Sequence, residues 1–330
     1  MTREVVLAAR PQGEPQASDF EVRDASDAAP GDGEVLVRNV FVSVDPYMRG
    51  RMTGVRSYVG PYEIGGPIDG GAVGRVLESH HDGFAEGDWV LSQLGWREQG
   101  VARGDHLRKL DPSLAPPSTA LGVLGMPGLT AWVGLVDIGQ IKEGETIYVS
   151  GAAGAVGSVA AQIAKLKGLR VIGGAGSEEK VDWLRSLGIE AFNYRETPVK
   201  EALADGIDVF FDNVGGEQLE AALAALRPFG RVIACGAISR YNDERPELGP
   251  RHLSAFVVSK RLRIQGFIVS DHFDRLPAFV AEVGPWVAGG RLEHRETVLD
   301  GIENLPVAFA GLFRGDNTGK MLVRVGPDDS

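Results

Sequence analysis

Eight residues, Ser150 to Gly157, read Ser-Gly-Ala-Ala-Gly-Ala-Val-Gly. They stand between an apolar run, Thr146 to Ser150, and a stretch in which Val156, Val159, Ala160, Ile163 and Leu166 recur at helical spacing. Small residues at that junction let the chain turn tightly and bring backbone N–H groups close to a diphosphate. The helix that follows presents the positive end of its dipole to the same anion. A glycine turn alone could be no more than a tight strand-to-helix connection. Here strand, turn, helix and a second strand, Arg170 to Gly173, fall within about thirty residues, the context a dinucleotide-binding turn requires.

The next strand end selects the nucleotide. An NAD site carries an acidic residue about twenty positions on, against the ribose hydroxyls. The corresponding segment reads Gly173-Gly174-Ala175-Gly176-Ser177, with no carboxylate before Glu178, and Lys180 follows. A cation near a helix N-terminus is unfavourable unless it meets an anion, and a 2′-phosphate is such an anion. A solvated lysine neutralised by Glu178 and Glu179 is the other reading. The pattern predicts NADP(H) rather than NAD(H).

Positioning these residues takes a regular scaffold. After about residue 140, strands (Thr146 to Ser150, Arg170 to Gly173, Asp208 to Phe211, Arg231 to Cys235, Arg263 to Ile268) alternate with helices, one of them Gln218 to Leu226. Gly168 sits where a helix C-cap belongs, and Ser177 caps a helix with Glu178 and Glu179 in its first turn. This is the pattern of a doubly wound parallel sheet, an α/β Rossmann domain. The first third is β-rich instead, with strands at Glu34 to Ser43, Ala72 to Leu77 and within Phe84 to Leu91, a pattern for a partly open barrel or sandwich. The tail from about Leu292 should pack back onto this first domain.

Composition narrows the function. A length of 330 residues suggests two domains, and 43% hydrophobic with 24% charged residues is a globular balance. A net charge of -11 argues against general nucleic-acid binding, which needs a positive field. The single cysteine, Cys235, excludes an intramolecular disulfide framework and a zinc site built on several thiolates, and fits a reducing compartment. The start is too short in apolar residues for a signal peptide. Ala115 to Val136 lacks charge but carries three prolines and four glycines, so a buried core segment is expected rather than a membrane span. The default localisation is cytoplasmic. Glycine, 45 residues, is about twice the usual share.

An ordered set of motifs now resembles a known family. It comprises Asp45 to Met52 (DPYMRGRM), Leu124 to Trp132 (LGMPGLTAW), Ala152 to Gly157, Gly176 to Val181 (GSEEKV), Phe192-Asn193-Tyr194, Phe211 to Gly216 (FDNVGG), Cys235 to Ser239 with Tyr241-Asn242, and Gly315-Asp316-Asn317. Together they look like the zinc-independent branch of the medium-chain dehydrogenase/reductase superfamily, in its prostaglandin reductase, curcumin reductase and alkenal double-bond reductase group. The resemblance implies a GroES-like β-barrel catalytic domain, residues 1–123 completed by 295–330, and an NADP-binding Rossmann domain, 124–294. It implies NADPH-dependent reduction of the carbon–carbon double bond of enones and enals. It implies a cofactor held by Gly154, Ala155, Val156, Gly157, Lys180, Tyr194, Asn213, Cys235, Gly236, Ala237, Ile238, Ser239, Tyr241, Phe267, Ile268, Val269 and Asn317. It further implies a homodimer, with 263–268 as the candidate edge strand. Where relatives often carry bulky residues after Val269, Ser270-Asp271-His272 stands here, which predicts a wider or more polar edge of the substrate pocket.

A zinc alternative finds no ligand set. The loop that would supply a His-Glu pair reads Gly65-Gly-Pro-Ile-Asp-Gly-Gly-Ala-Val73, and the histidines are scattered or, at His80 and His81, adjacent. Without a metal, hydride addition at the β-carbon leaves an enolate that needs a hydrogen-bond donor and then a proton at the α-carbon. By resemblance Tyr47 and Tyr58 line the substrate site and Tyr241 meets cofactor or substrate. The cofactor's ribose hydroxyl could also meet the oxyanion. Arg49 and Arg51 are expected to be solvated surface arginines, and Cys235 to pack as a small apolar residue. A quinone reductase of the zeta-crystallin type and a non-enzymatic NADPH-binding protein are the competing readings.

Overall fold

The computed structural model describes residues 2–26, 29–243 and 249–328. They form two compact units, one of residues 1–121 with 296–330 and one of residues 122–295.

In the second unit a parallel sheet runs in the order Glu190–Asn193, Arg170–Ala175, Thr146–Val149, Ile207–Asp212, Leu226–Ala234, Arg263–Gly266. Counted along the chain, that is strand order 3-2-1-4-5-6, the doubly wound arrangement. Alternation along the strands explains why both faces are covered. Ile147, Val149, Val171, Val209, Phe211 and Ile233 point into one core, packed with Val159 and Ile163 of the helix Gly157–Leu166 and with Phe279 and Val283 of the helix Leu276–Ala288. The intervening Tyr148, Ile172, Phe210 and Val232 fill the other core, against Ala222 and Leu223 of the helix Gly216–Ala225.

Gly168, at φ +83°, ends the Gly157–Leu166 helix as expected. Ser177 caps the helix Glu178–Ser186, its Oγ accepting from the Lys180 amide at 3.4 Å. Several boundaries differ from the sequence reading; the sixth strand, expected to reach Ile268, ends at Gly266, and the second continues past Gly173 to Ala175. The helix expected over Gln218 to Leu226 starts earlier, at Gly216, because Gly215 and Gly216 take positive φ and turn the chain there. The fifth strand begins at Leu226 and ends at Ala234, with a register shift between the Ile207–Leu226 and Val209–Arg231 pairs that leaves Pro228 and Phe229 outside the ladder.

In the first unit the sheet runs Glu296–Asp300, Lys320–Arg324, Glu34–Ser43, Ala72–Ser79, Trp89–Ser92, Arg108–Leu110, with Gln99–Arg103 also paired to Glu34–Ser43. The two C-terminal strands are parallel to each other, joined through the helix Leu305–Arg314, and the second lies antiparallel to Glu34–Ser43. The end of the chain therefore completes the sheet begun by its start. Phe20, Trp96 and Phe309 form an aromatic cluster in its core, with Met48 and Met52 buried beside them. Within Ala115 to Val136 the segments Pro117–Leu121 and Met126–Val133 are almost wholly buried. Among the described residues no helix is long and apolar enough to cross a membrane.

Candidate nucleotide and substrate site

In a sheet of this order the first and fourth strands are neighbours whose following connections leave to opposite sides, and a crevice opens at their C-terminal ends. The chain pins those ends together. The Ser150 hydroxyl donates to Asp212 Oδ1 at 3.1 Å and accepts from the Asn213 amide at 2.9 Å, while Asn213 Nδ2 donates to the Ser150 carbonyl at 2.7 Å. Asp212 Oδ1 also accepts from the Val214 and Gly215 amides, at 3.0 and 2.8 Å. Burial pushes the Asp212 carboxyl upward, opposed by the Gly215 and Val214 amides and the Ser150 hydroxyl. One buried oxygen thus organises the whole turn after the fourth strand.

The glycine turn is tight at Gly151 and Gly157. Gly151 takes φ +57°, and a Cβ at Gly157 would fall 2.2 Å from the Gly151 carbonyl oxygen. At the start of the helix the Ser158 amide donates to the Gly154 carbonyl at 3.0 Å and the Ala160 amide to the Val156 carbonyl at 2.9 Å, which ties the turn Gly154 to Val156 onto the helix N-terminus. Backbone, not side chain, forms this surface, which fits a diphosphate.

At the second strand end, a Cβ on Gly176 would sit 2.6 Å from the Tyr194 hydroxyl and 3.5 Å from Arg195 Nε. The end of the second strand is therefore flanked by the Tyr194 hydroxyl and the Arg195 guanidinium. Lys180, half-buried, lies one turn into the adjoining helix. Arg195 escaped the sequence reading because nothing in its spacing marks it; only the Gly176 gap reveals it.

The loop Asp212 to Gly216 and the segment Cys235 to Tyr241 are stitched together. The Cys235 and Gly236 amides donate to the Asp212 carbonyl at 2.9 and 3.0 Å, the Ile238 amide to the Asn213 carbonyl at 3.2 Å, and the Ser239 hydroxyl to the Val214 carbonyl at 2.6 Å. The Tyr241 hydroxyl accepts from the Ala237 amide at 3.3 Å. Phe267, Ile268 and Val269 follow the sixth strand, with Phe267 and Val269 packed against the core and His272 edge-on to Phe267 at 6.3 Å. Cys235 is partly buried against that core, and burial pushes its thiol up to about 12, so it packs rather than attacks.

In the first unit, Tyr47 leads the short helix Met48–Arg51. Its hydroxyl lies 3.8 Å from where a Gly70 Cβ would sit. Tyr47 is half-buried; burial first, then Asp45, raises its phenol, so it stays protonated. Tyr58 is 61% exposed, whereas Tyr62 is buried and donates to the Asp69 carbonyl at 2.6 Å. Asn317 donates from Nδ2 to the Gly319 carbonyl at 2.7 Å. The expectation for the two arginines is corrected. Arg49 is buried and donates to the Pro11 and Gly13 carbonyls, and Arg51 stacks over the Tyr62 ring at 3.8 Å, because both long side chains tie neighbouring loops to this helix. Among the described residues no group of three His, Cys, Asp or Glu side chains gathers in metal-binding proximity.

Residues 3–110 match the model for the N-terminal domain of oxidoreductase, and residues 155–284 that for zinc-binding dehydrogenase. The NADPH-dependent curcumin reductase of Escherichia coli is 45% identical over 337 residues, covering 99% of this chain and 98% of that protein. The chain belongs to the medium-chain dehydrogenase/reductase superfamily, in its prostaglandin, curcumin and alkenal reductase group. A 2-alkenal reductase (NADP(+)-dependent) of Nicotiana tabacum is 40% identical, covering 98% of this chain and 97% of that protein. The crystal structure of CurA from Vibrio vulnificus in complex with NADPH superposes with a TM-score of 0.94 at 42% identity, over 99% of this chain and all of that one.

The Asp212 arrangement makes a direct prediction. Asp212→Ala would leave the Val214 and Gly215 amides without their acceptor and the Ser150 hydroxyl with only the Phe211 carbonyl at 3.4 Å, at a cost of about 1–3 kcal/mol for each amide that water cannot reach. Urea unfolding should show the second unit destabilised by at least ~2 kcal/mol; a smaller loss would mean the turn does not depend on this carboxylate.

Proposed function

We propose that the protein is an NADP(H)-dependent reductase of the carbon–carbon double bond of α,β-unsaturated ketones and aldehydes. The observation that carries this reading is end-to-end likeness to reductases named for curcumin and alkenals, in a chain whose first strand ends in a tight glycine turn suited to a dinucleotide.

Gly154, Ala155, Val156 and Gly157 would meet the diphosphate through their backbone. Lys180, Tyr194 and Arg195 would hold the 2′-phosphate. Asn213, Cys235 to Ser239 with Tyr241, Phe267 to Val269, and Asn317 of the first unit are the remaining proposed cofactor contacts. Bound NADPH supplies the hydride. The residues of the chain then have two tasks, orienting the enone and meeting the negative charge that develops on its oxygen. A phenol is a suitable donor for an oxyanion; half-buried Tyr47 is the first candidate, Tyr241, whose hydroxyl accepts from the Ala237 amide, is the second, and Tyr58 would line the substrate. We propose that no metal takes part. The sole cysteine belongs to the nucleotide sheet, and loop 65–73 offers Asp69 alone as a ligand type. The exposed edge strand Arg263–Gly266, with Ile264 41% exposed, supports a homodimer, and a cytoplasmic setting fits the single thiol.

The deciding experiment follows NADPH consumption with an enal, an enone, a quinone and a saturated alcohol, with and without a chelator. We expect a saturated carbon–carbon bond with the carbonyl intact, unaffected by chelation. Faster turnover of the quinone would favour a quinone reductase, an alcohol product a carbonyl reductase, and nucleotide binding without oxidation a non-enzymatic role. Lys180→Ala should raise the KM for NADPH far more than that for NADH; equal effects would refute the phosphate assignment. Replacing Tyr47 or Tyr241 by phenylalanine should lower kcat tenfold or more in at least one case, about 1.4 kcal/mol of barrier. Full activity in both variants would leave the oxyanion to the cofactor's ribose hydroxyl.

A further inference from the structure

Lys320 is a lysine with almost no access to water, 4% exposed, in the strand Lys320–Arg324. Its ammonium group has three protons and three acceptors, the Met321 carbonyl at 2.8 Å, the Val44 carbonyl at 2.9 Å and Asp45 Oδ1 at 3.2 Å. Asp45 is itself buried, and its other oxygen accepts from the Ser43 hydroxyl at 2.5 Å. On the neighbouring strand Glu296 stands opposite Lys320 in register, adding a second negative group beside the ammonium.

A buried charge is costly, and its loss leaves its partner uncompensated. A pair retained at that cost therefore invites a role beyond stability. What this pair holds is specific. Val44 and Asp45 are the last residues before the turn that carries Tyr47. The Asp45 carbonyl accepts from the Met48 amide at 3.1 Å, the Pro46 carbonyl from Arg49 at 3.1 Å and the Tyr47 carbonyl from Gly50 at 3.2 Å, so the short helix is built outward from Asp45. On the other side of the Tyr47–Met48 step, Gly70 leaves the space, since a Cβ there would fall 2.4 Å from the Met48 methyl carbon. One end of the turn is fixed by charge and the other by close packing.

We propose that Lys320 is a positioning residue for enone reduction, acting through Asp45 to hold the Tyr47 hydroxyl where it can donate to the substrate oxygen. The inference rests on the reductase reading above and on Tyr47 as a donor. Nothing in the motif set marks Lys320, which lies 273 positions beyond Tyr47 and reaches it only through the sheet.

The test is a double-mutant cycle on enone turnover. Lys320→Met should lower kcat at least tenfold in the otherwise unchanged enzyme and less than twofold in a Tyr47→Phe background, with the Kd for NADPH within twofold throughout. If the uncompensated Asp45 carboxylate prevents Lys320→Met from folding, Asp45→Asn combined with Lys320→Met removes both charges of that pair, with Glu296 left in place, and is read in the same cycle with the same expectation. An equal loss of kcat in both backgrounds, an unchanged kcat, or a Tyr47→Phe variant with full activity would each overturn the proposal while leaving the reductase reading intact. Absence of enone reduction by the unsubstituted enzyme would instead remove the reading on which it rests.

Discussion

The nucleotide-binding unit depends on the closure made where its first and fourth strands end. Parallel strands that diverge to opposite faces leave their last carbonyls and amides facing a crevice, and those groups must find partners or water. Ser150 and Asn213 supply the partners across the gap, and Asp212 turns the chain after the fourth strand by gathering two amides and a hydroxyl on one oxygen. The next strand's continuation, Cys235 to Ser239, is then hydrogen-bonded onto that turn. A change at Asp212 would therefore be felt at the end of the first strand, in the turn after the fourth and at the start of the segment Cys235 to Ser239.

Strand alternation divides the same unit into two cores of different character. On one face the strand residues are aliphatic apart from Phe211, and Trp132, Trp183 and Phe279 pack against them; the other stacks Tyr148 on Phe210 at 5.1 Å and nearly parallel. Tyr148 is fully buried, yet its hydroxyl is satisfied by Gln218 Oε1 at 2.8 Å. Its position also explains a glycine: a Cβ at Gly174 would come within 2.6 Å of that hydroxyl. Part of the glycine excess thus serves the packing of aromatic side chains, while Gly151 and Gly157 serve the tight turn.

The first unit solves a different problem. Its sheet is assembled from the two ends of the chain, so sequence-distant residues become strand neighbours, and a buried lysine from one end meets a buried aspartate from the other. Burying both charges is tolerable because every ammonium proton has an acceptor and the carboxylate has a hydroxyl as well. Arg49 and Arg51, which a local reading leaves in solvent, are drawn inward by the same logic, since the carbonyls and ring they meet come from loops that spacing alone does not bring near.

The sequence by itself determined what depends on local order. Periods of two and of about four residues marked the alternating strands and helices, Ser177 and Gly168 marked a cap and a stop, and the Ser150 to Gly157 spacing marked the dinucleotide turn, because each is settled by neighbours a few residues away. It also determined that no carboxylate follows the second strand before Glu178. The tertiary structure alone decided which strand ends meet, and so joined Ser150 to Asp212 and Asn213, laid Tyr194 and Arg195 against Gly176, and buried Arg49. It alone brought Lys320 to Asp45. Those pairings are set by sheet order and packing between distant segments, and a one-dimensional pattern carries no record of which strands become neighbours.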